Sequence, residues 1–294
     1  MTDWPAISAA IGAATGQAFQ LINPDRVGGG CISQAYRLNG RDGRSFFVKL
    51  NAADKFEVFI AEAAGLSEIA ATGTVRVPQP VTQGQCGAHS FLVLEHLELN
   101  GRGREGQLGE RLAALHRVTA THFGLARDNF IGTTRQPNGW MQDWPTFWRE
   151  QRLGFQLQLA ARNGYGGRLQ TLGAQLLERL PAFFDGYAPL PSLLHGDLWS
   201  GNRAYLPDGT PLIFDPAAYY GDRECDLAMT ELFGGYGADF YAAYRAAYPP
   251  DAGYAVRRDL YNLYHILNHA NLFGGGYVRQ AEGTAQRLLA ELDC

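Results

Sequence analysis

The stretch LLHGDLWSGNRAYLPDGTPLIFDP, residues 193–216, decides how this chain is read. Two short apolar runs, 192–194 and 212–214, each end in a polar cluster, and together they read as the strands of one β-hairpin. The first cluster carries Asp197 and, five residues on, Asn202; the second carries Asp215. Asp208-Gly209, between them, is an ordinary turn. A carboxylate can orient a hydroxyl and take its proton, while an amide oxygen and a second carboxylate can hold a hard divalent cation. Those are the parts of a phosphoryl-transfer site, with Asp197 as base and Asn202 and Asp215 holding Mg²⁺ on nucleotide phosphates. Asx turns would explain each residue singly, but not three of them in this order.

The spacing matches the D-x-x-x-x-N catalytic loop of protein kinases. His195-Gly196 stands where those enzymes carry His-Arg, and Asp215-Pro216 where they carry Asp-Phe. His195 then braces the loop backbone rather than shuttling protons. Asp226 has two structural readings, a helix cap or a brace that accepts hydrogen bonds from the loop.

The rest of the composition narrows the class. A chain of 294 residues can bury one large core or two modest ones. A net charge of −4 argues against nucleic acid as partner. No apolar run approaches the ~18 residues of a membrane span. The N-terminal residues read as an amphipathic helix without the basic start of a signal peptide. The four cysteines, Cys31, Cys86, Cys225 and Cys294, show neither a CxxC pair nor zinc spacing. The expectation is a cytoplasmic, reduced protein, a monomer or weak dimer.

Among 25 basic residues only Lys49 and Lys55 are lysines. A lysine kept where arginine is otherwise preferred suggests a need for its compact ammonium. Lys49 ends the strand FFVKL, sharing a face with Phe47, while Val48 and Leu50 take the other. It can reach nucleotide phosphates if a carboxylate positions it. Glu62, mid-helix in apolar surroundings, is the first candidate, ahead of Glu57 and Glu68. Upstream, Gly28-Gly29-Gly30 forms a turn whose backbone N–H groups can approach phosphates, and Ser33 can add a hydroxyl. Cys31 keeps two readings: a small residue filling the loop, or a thiol under oxidative control that links two copies through a disulfide.

Helices are expected over 4–20 and 54–71, and strands over 31–38, 45–50 and 89–95. Helices follow over 106–119, 143–163, 165–184, 224–233, 237–248, 254–274 and 278–292. The fold class is α+β with two lobes: a small antiparallel-sheet lobe with one key helix, and a larger, mostly helical lobe. The division falls at 1–97 for the nucleotide lobe and 98–294 for the catalytic and substrate lobe, with residues 95–104 as hinge. His116 reads as a packed core histidine, and Trp140, Trp144, Phe147 and Trp148 as core or cleft wall.

Taken together, the blocks GGGCIS, FVK, EAAGL, VPQP, LVLEHL, LAALH, DNFIGTTRQPNGW, MQDWPTFWREQRL, HGDLWSGN, DPAAYYGDRECDLAM and LNHANLFGGGY resemble the fructosamine (ketosamine) kinases. That family is related to aminoglycoside phosphotransferases in the protein-kinase-like fold. HGDLWSGN and the NFIG…QPN…W…DW block carry the resemblance, because generic aminoglycoside or choline kinases lack them. It implies ATP-dependent phosphorylation of the 3-hydroxyl of ketosamines, a deglycation or protein-repair chemistry, with ATP and Mg²⁺ as cofactors. The alternative is a kinase of the same fold acting on an aminoglycoside, choline or another hydroxyl acceptor. The resemblance further implies that the backbone of Glu95 and Leu97 meets adenine, and that Trp199 and His269 contact the sugar-amine. One departure is visible: Tyr220-Gly221-Asp222 stands where many members read YYGH. Asp222 and Glu224 either attract a protonated amine there or form a solvated acidic loop.

Overall fold

The computed structural model describes residues 2–28, 33–99 and 102–293. The described chain divides into two units, residues 1–104 with 203–216 and residues 105–202 with 217–294. The segment 203–216 thus packs with the first unit, whereas the sequence division at 97/98 placed it in the second.

The first unit is built on five antiparallel strands: β1 (Leu21–Val27), β2 (Gln34–Gly40), β3 (Ser45–Ala52), β4 (Pro80–Cys86) and β5 (His89–Glu95). Their order is β1-β2-β3-β5-β4. The central strands were legible from alternation, and β3 buries Phe46, Val48 and Leu50 on one face as that alternation requires. Neither edge strand was expected from sequence. Both carry a proline and three polar residues in seven, which an edge tolerates because one side needs no ladder partner. Helix α1 (Trp4–Thr15) is capped by Asp3, whose Oδ1 accepts the Ala6 N–H at 3.0 Å. It stops well short of residue 20 because Gly16 turns left-handed at φ +69°. Helix α2 (Phe56–Ala71) follows a short 3₁₀ turn after β3.

The second unit is largely helical. Helix α3 (Glu105–Leu115) leads to the short hairpin of β6 (Asn129–Ile131) and β7 (Thr134–Gln136). A helical run follows, with α4 (Trp144–Phe147) and α5 (Gly154–Arg162) joined by a π turn over Trp148–Leu153. Then come α6 (Arg168–Arg179), β8 (Ser192–Leu194), β11 (Tyr219–Gly221), α7 (Glu224–Leu232), α8 (Ala238–Ala247), α9 (Tyr254–Phe273) and α10 (Gly276–Glu291). Trp144, Phe147 and Trp148 lie in its apolar core, with Leu153, Tyr261 and Leu267, whereas Trp140 is 48% exposed.

The motif stretch is not one hairpin. β8 pairs with β11, and β9 (Arg203–Tyr205) pairs with β10 (Pro211–Ile213) in the first unit. Two apolar runs of three residues carry no information about which partner each will choose, so the nearer pairing was assumed.

Among the described residues, Cys86 and Cys225 are free thiols, and no helix is long and apolar enough to cross a membrane. Gly29, Gly30 and Cys31 lie outside the described residues.

Gly109 sets the approach of α3 to α8. A Cβ there would stand 2.3 Å from the Phe240 carbonyl oxygen, which belongs to the rigid backbone of α8. Gly109→Ala is therefore expected to cost about 3 kcal/mol and to lower Tm by roughly 6–10 °C in a thermal melt. An unchanged Tm would show that the helices separate freely.

Candidate active site

The first unit supplies a cation held between two acids. Lys49, on the face of β3 away from the apolar core, places Nζ 2.7 Å from Glu62 Oε1 on α2 and 2.5 Å from Asp215 Oδ1. Burial works against the ammonium, but Asp215 and then Glu62 outweigh it and hold Lys49 protonated, above its usual value. Of the three glutamates considered, Glu62 is the one that meets Lys49. Asp215 adopts φ +58°, the left-handed region that costs an ordinary residue about 1–2 kcal/mol and that Asp enters more readily than most. The strain is held by the ion pair at one end and by the hairpin β9–β10 at the other. That hairpin is tied to the rest of its unit by the Ile213 N–H, which donates to the Arg76 carbonyl at 3.0 Å. Tyr205 also lies flat against Gly103, where a Cβ would stand 2.0 Å from the ring.

Arg76 links this hairpin to residue 95. Its guanidinium pairs with the Glu95 carboxylate at 2.6 Å, and the same carboxylate accepts the Gln79 N–H at 2.6 Å. The Glu95 N–H donates to the Gln79 carbonyl at 2.9 Å. The Glu95 N–H is therefore already committed within its own unit. Ser33 Oγ accepts from Asn51 Nδ2 at 3.3 Å, and an added Cβ on Gly28 would meet nothing within 4 Å.

The second unit supplies the loop that carries Asp197, called the base loop after the role expected of that residue. Asp226 is 1% exposed, and its carboxylate accepts the N–H groups of His195 at 2.7 Å and Gly196 at 2.8 Å. The same group meets His116 Nε2 at 3.1 Å, and His116 Nδ1 meets the Tyr244 hydroxyl at 2.8 Å. Burial alone would push the Asp226 carboxyl up; His116, the His195 ring and the Gly196 N–H outweigh it and hold it below the usual range. Of the two readings of Asp226, the brace is the one observed. His116 is fully buried, as expected, yet it does more than pack.

Gly196 sits at φ +83°, and a Cβ there would lie 2.2 Å from the Ala217 carbonyl oxygen. Only glycine fits, which explains the Gly of the HGD block. The loop then curls through a 3₁₀ turn at Ser200–Asn202, and Asn202 Nδ2 donates to the Asp197 carbonyl at 2.8 Å and to its Oδ2 at 3.3 Å. With its amino group so committed, Asn202 turns its amide oxygen away from Asp197. Trp199 is 39% exposed and folds over Gly201, where a Cβ would touch the indole at 2.1 Å. Ser200 Oγ donates to the Phe233 carbonyl at 3.1 Å, and the Phe233 ring lies 4.8 Å from that of His269. Phe233 thus ties the base loop to α9, a link that no local pattern announced. His269 Nδ1 contacts the His265 carbonyl at 2.8 Å; a carbonyl only accepts, so Nδ1 carries the proton and Nε2 the lone pair. Burial pushes the His269 ring toward the neutral form.

Asp222 and Glu224 are neither a solvated loop nor an amine-binding pair, since both are fully buried. Asp222 accepts the hydroxyls of Tyr187 at 3.0 Å and Tyr261 at 2.5 Å. Glu224 pairs with Arg257 at 2.8 Å. An aspartate at this place in the chain is explained by those two tyrosines.

Set beside known proteins, the match is extensive. The fructosamine kinase family model covers residues 3–291. The chain belongs to the fructosamine kinase family. It is 48% identical over 290 residues to a probable ketoamine kinase of Synechocystis sp., covering 97% of each chain. It is 44% identical to the chloroplastic protein-ribulosamine 3-kinase of Arabidopsis thaliana, covering 89% of this chain and 81% of that one. A crystal structure from Haemophilus somnus, described provisionally as a fructosamine-3-kinase, superposes with a TM-score of 0.89 at 30% identity, covering 97% of both chains. Aminoglycoside phosphotransferases share the fold at low identity, so the architecture is the protein-kinase-like α+β fold.

The buried acids carry a pH signature. Burial, reinforced by the charge of Asp222, pushes Glu224 up to about 7 despite Arg257. An acid whose folded value exceeds its unfolded one contributes stability below the unfolded value and loses it as pH rises toward the folded one. His265, pushed down to about 3 by burial, works in the opposite direction over part of this range. The clean readout is therefore a difference. The stability of wild type relative to Glu224→Gln, from urea unfolding, should be greater at pH 5 than at pH 7.5 by on the order of 1–3 kcal/mol. A difference independent of pH would remove Glu224 as the titrating group.

Proposed function

We propose that this chain transfers the γ-phosphoryl group of ATP to the 3-hydroxyl of ketosamines, with Asp197 accepting the hydroxyl proton. Membership of the fructosamine kinase family across residues 3–291 is the observation that carries the acceptor class. The paired placement of Lys49 between Glu62 and Asp215 supports the nucleotide half of the reading.

In this reading the Lys49 ammonium, kept charged by its two carboxylates, holds the phosphates of ATP. The backbone at Gly28 and the Ser33 hydroxyl line the same phosphates. The Glu95 carbonyl oxygen and the Leu97 N–H meet the adenine edge. Mg²⁺ suits each of the two candidate ligands by its own chemistry, since the Asp215 carboxylate and the Asn202 amide oxygen are hard oxygen donors and the hydrogen bonds of Asn202 to Asp197 use only its nitrogen. Among the described residues no cluster of three or more His, Cys, Asp or Glu would hold a metal, consistent with an ion that also relies on phosphate oxygens. When bound, Mg²⁺ would neutralise charge on the transferring phosphoryl group.

Asp197 is held in place by the loop that Asp226 braces, so its carboxylate meets the acceptor hydroxyl without reorganising. Trp199 offers an exposed indole face to the sugar. The His269 Nε2 lone pair can accept a hydrogen bond from the protonated amine of the adduct. A phosphate on O3 then becomes a leaving group next to the C1–C2 enaminol; its elimination, followed by hydrolysis, returns the free amine. A cytoplasmic location, where ATP is plentiful, belongs to the same proposal.

Wild-type enzyme with ATP and Mg²⁺ is expected to phosphorylate ribulosyl- or fructosyl-lysine and not kanamycin or choline. Turnover confined to kanamycin or choline would sink the ketosamine assignment. Asp197→Ala should lower kcat by about 10²–10⁴-fold, and a variant with wild-type kcat would remove Asp197 as base.

A further inference from the structure

The block NFIGTTRQPN, one of those that carried the resemblance in the sequence, contributes three polar side chains that are almost completely buried: Asn129 at 4%, Gln136 at 0% and Asn138 at 0% exposed. They form a directed hydrogen-bond network. Arg152, also at 0% exposure, donates through NH2 to Asn138 Oδ1 at 2.7 Å. Arginine has no acceptor, so Asn138 must present its oxygen to Arg152 and its amino group onward. Asn138 Nδ2 then donates to Asn129 Oδ1 at 2.8 Å, and Asn129 Nδ2 donates to the Ala218 carbonyl at 2.7 Å. Gln136 joins from the other side. Its Nε2 donates to Asn129 Oδ1 at 2.8 Å and to the Ala217 carbonyl at 3.0 Å, while its Oε1 accepts the Tyr264 hydroxyl at 2.7 Å. Every amide orientation follows, because a donor-only guanidinium stands at one end and acceptor-only carbonyls at the other. Stacking on Tyr219 at 4.0 Å and Phe147 at 4.7 Å holds the guanidinium in place.

The target of the network is the peptide of Ala217. Its N–H donates to the His195 carbonyl at 2.9 Å, and its carbonyl is the atom that excludes a side chain from Gly196. The β8–β11 pairing, with Tyr219 opposite Leu194, sets the same two segments side by side. The base loop is thus clamped twice: by Asp226 on the N–H groups of His195 and Gly196, and by Ala217 on the His195 carbonyl. Asp226 acts directly. The Ala217 clamp is only as firm as the group that fixes the Ala217 carbonyl.

Resting on the kinase reading above, we propose that Gln136 is a positioning residue for phosphoryl transfer. It fixes the Ala217 carbonyl, and through it the loop that carries Asp197, while Tyr264 of α9 fixes the orientation of Gln136. The family-specific block then acts from beneath the base loop rather than as a wall of the acceptor site.

The test uses steady-state kinetics on the full chain with whichever acceptor the wild type phosphorylates, so failure of the ketosamine assignment and failure of this inference remain separate. Gln136→Leu keeps volume and removes the hydrogen bonds. It is expected to lower kcat about 10- to 100-fold while KM for ATP and for acceptor stay within about twofold. Leu176→Ala, which empties part of the apolar core on α6, serves as control: comparably destabilised, it should keep wild-type kcat per folded molecule. Gln136→Leu that is folded by circular dichroism and has wild-type kcat overturns the proposal, as does a loss appearing only in KM. Should Gln136→Leu fail to fold, Tyr264→Phe decides. Loss of that one hydroxyl should lower kcat about 3- to 10-fold without changing KM, and an unchanged kcat overturns the proposal.

Discussion

A single buried carboxylate organises the loop that carries Asp197. Asp226 has almost no contact with water, and a carboxylate so placed is tolerable only with a full set of donors. Two backbone N–H groups of the base loop and the His116 ring provide them. The dependence is mutual, since without Asp226 the three donors would be buried and unsatisfied, each at a cost of about 1–3 kcal/mol. The loop therefore has one low-energy path, and Asp197 emerges from it in a defined direction. Gly196, with no room for a Cβ, is a consequence of that path rather than an independent feature.

The first unit solves a different electrostatic problem. One ammonium faces two carboxylates, and at Glu62 burial and the charge of Asp215 push the carboxyl up while Lys49 pulls it back. The left-handed backbone of Asp215 belongs to the same arrangement, since it turns the carboxylate toward Lys49 at a modest conformational cost. Arg76 makes the arrangement continuous with the end of β5 by holding the hairpin through its backbone and Glu95 through its side chain.

Much of this was legible because it is local. Lys49 was singled out by the scarcity of lysine and the alternation of its strand, and Glu62 by its position on an apolar helix. What escaped was long-range. The strands β1 and β4 show no alternation because each lies at an edge of the sheet. The motif stretch read as one hairpin, but β8 and β10 take different partners, a choice made by the rest of the fold. Asp222 and Glu224 read as solvated because burial of an acid depends on distant Tyr187, Tyr261 and Arg257. The NFIG…QPN block read as a marker of the acceptor, yet its amides are buried beneath the loop.

Residues alone supplied the expected chemistry of the site, a carboxylate to take a proton, oxygen ligands for a cation and a lysine for phosphate, because each expectation rests on side-chain type and short spacing. The same residues, compared block by block, pointed to the family. Only the tertiary structure decided how those groups are held. Asp226, His116, Gln136 and Arg152 act through hydrogen bonds to residues far away in sequence, and such bonds are strong and directional only once burial has excluded water. A hydrogen-bonding side chain is visible in a sequence, but its partner and its dielectric surroundings exist only in the fold.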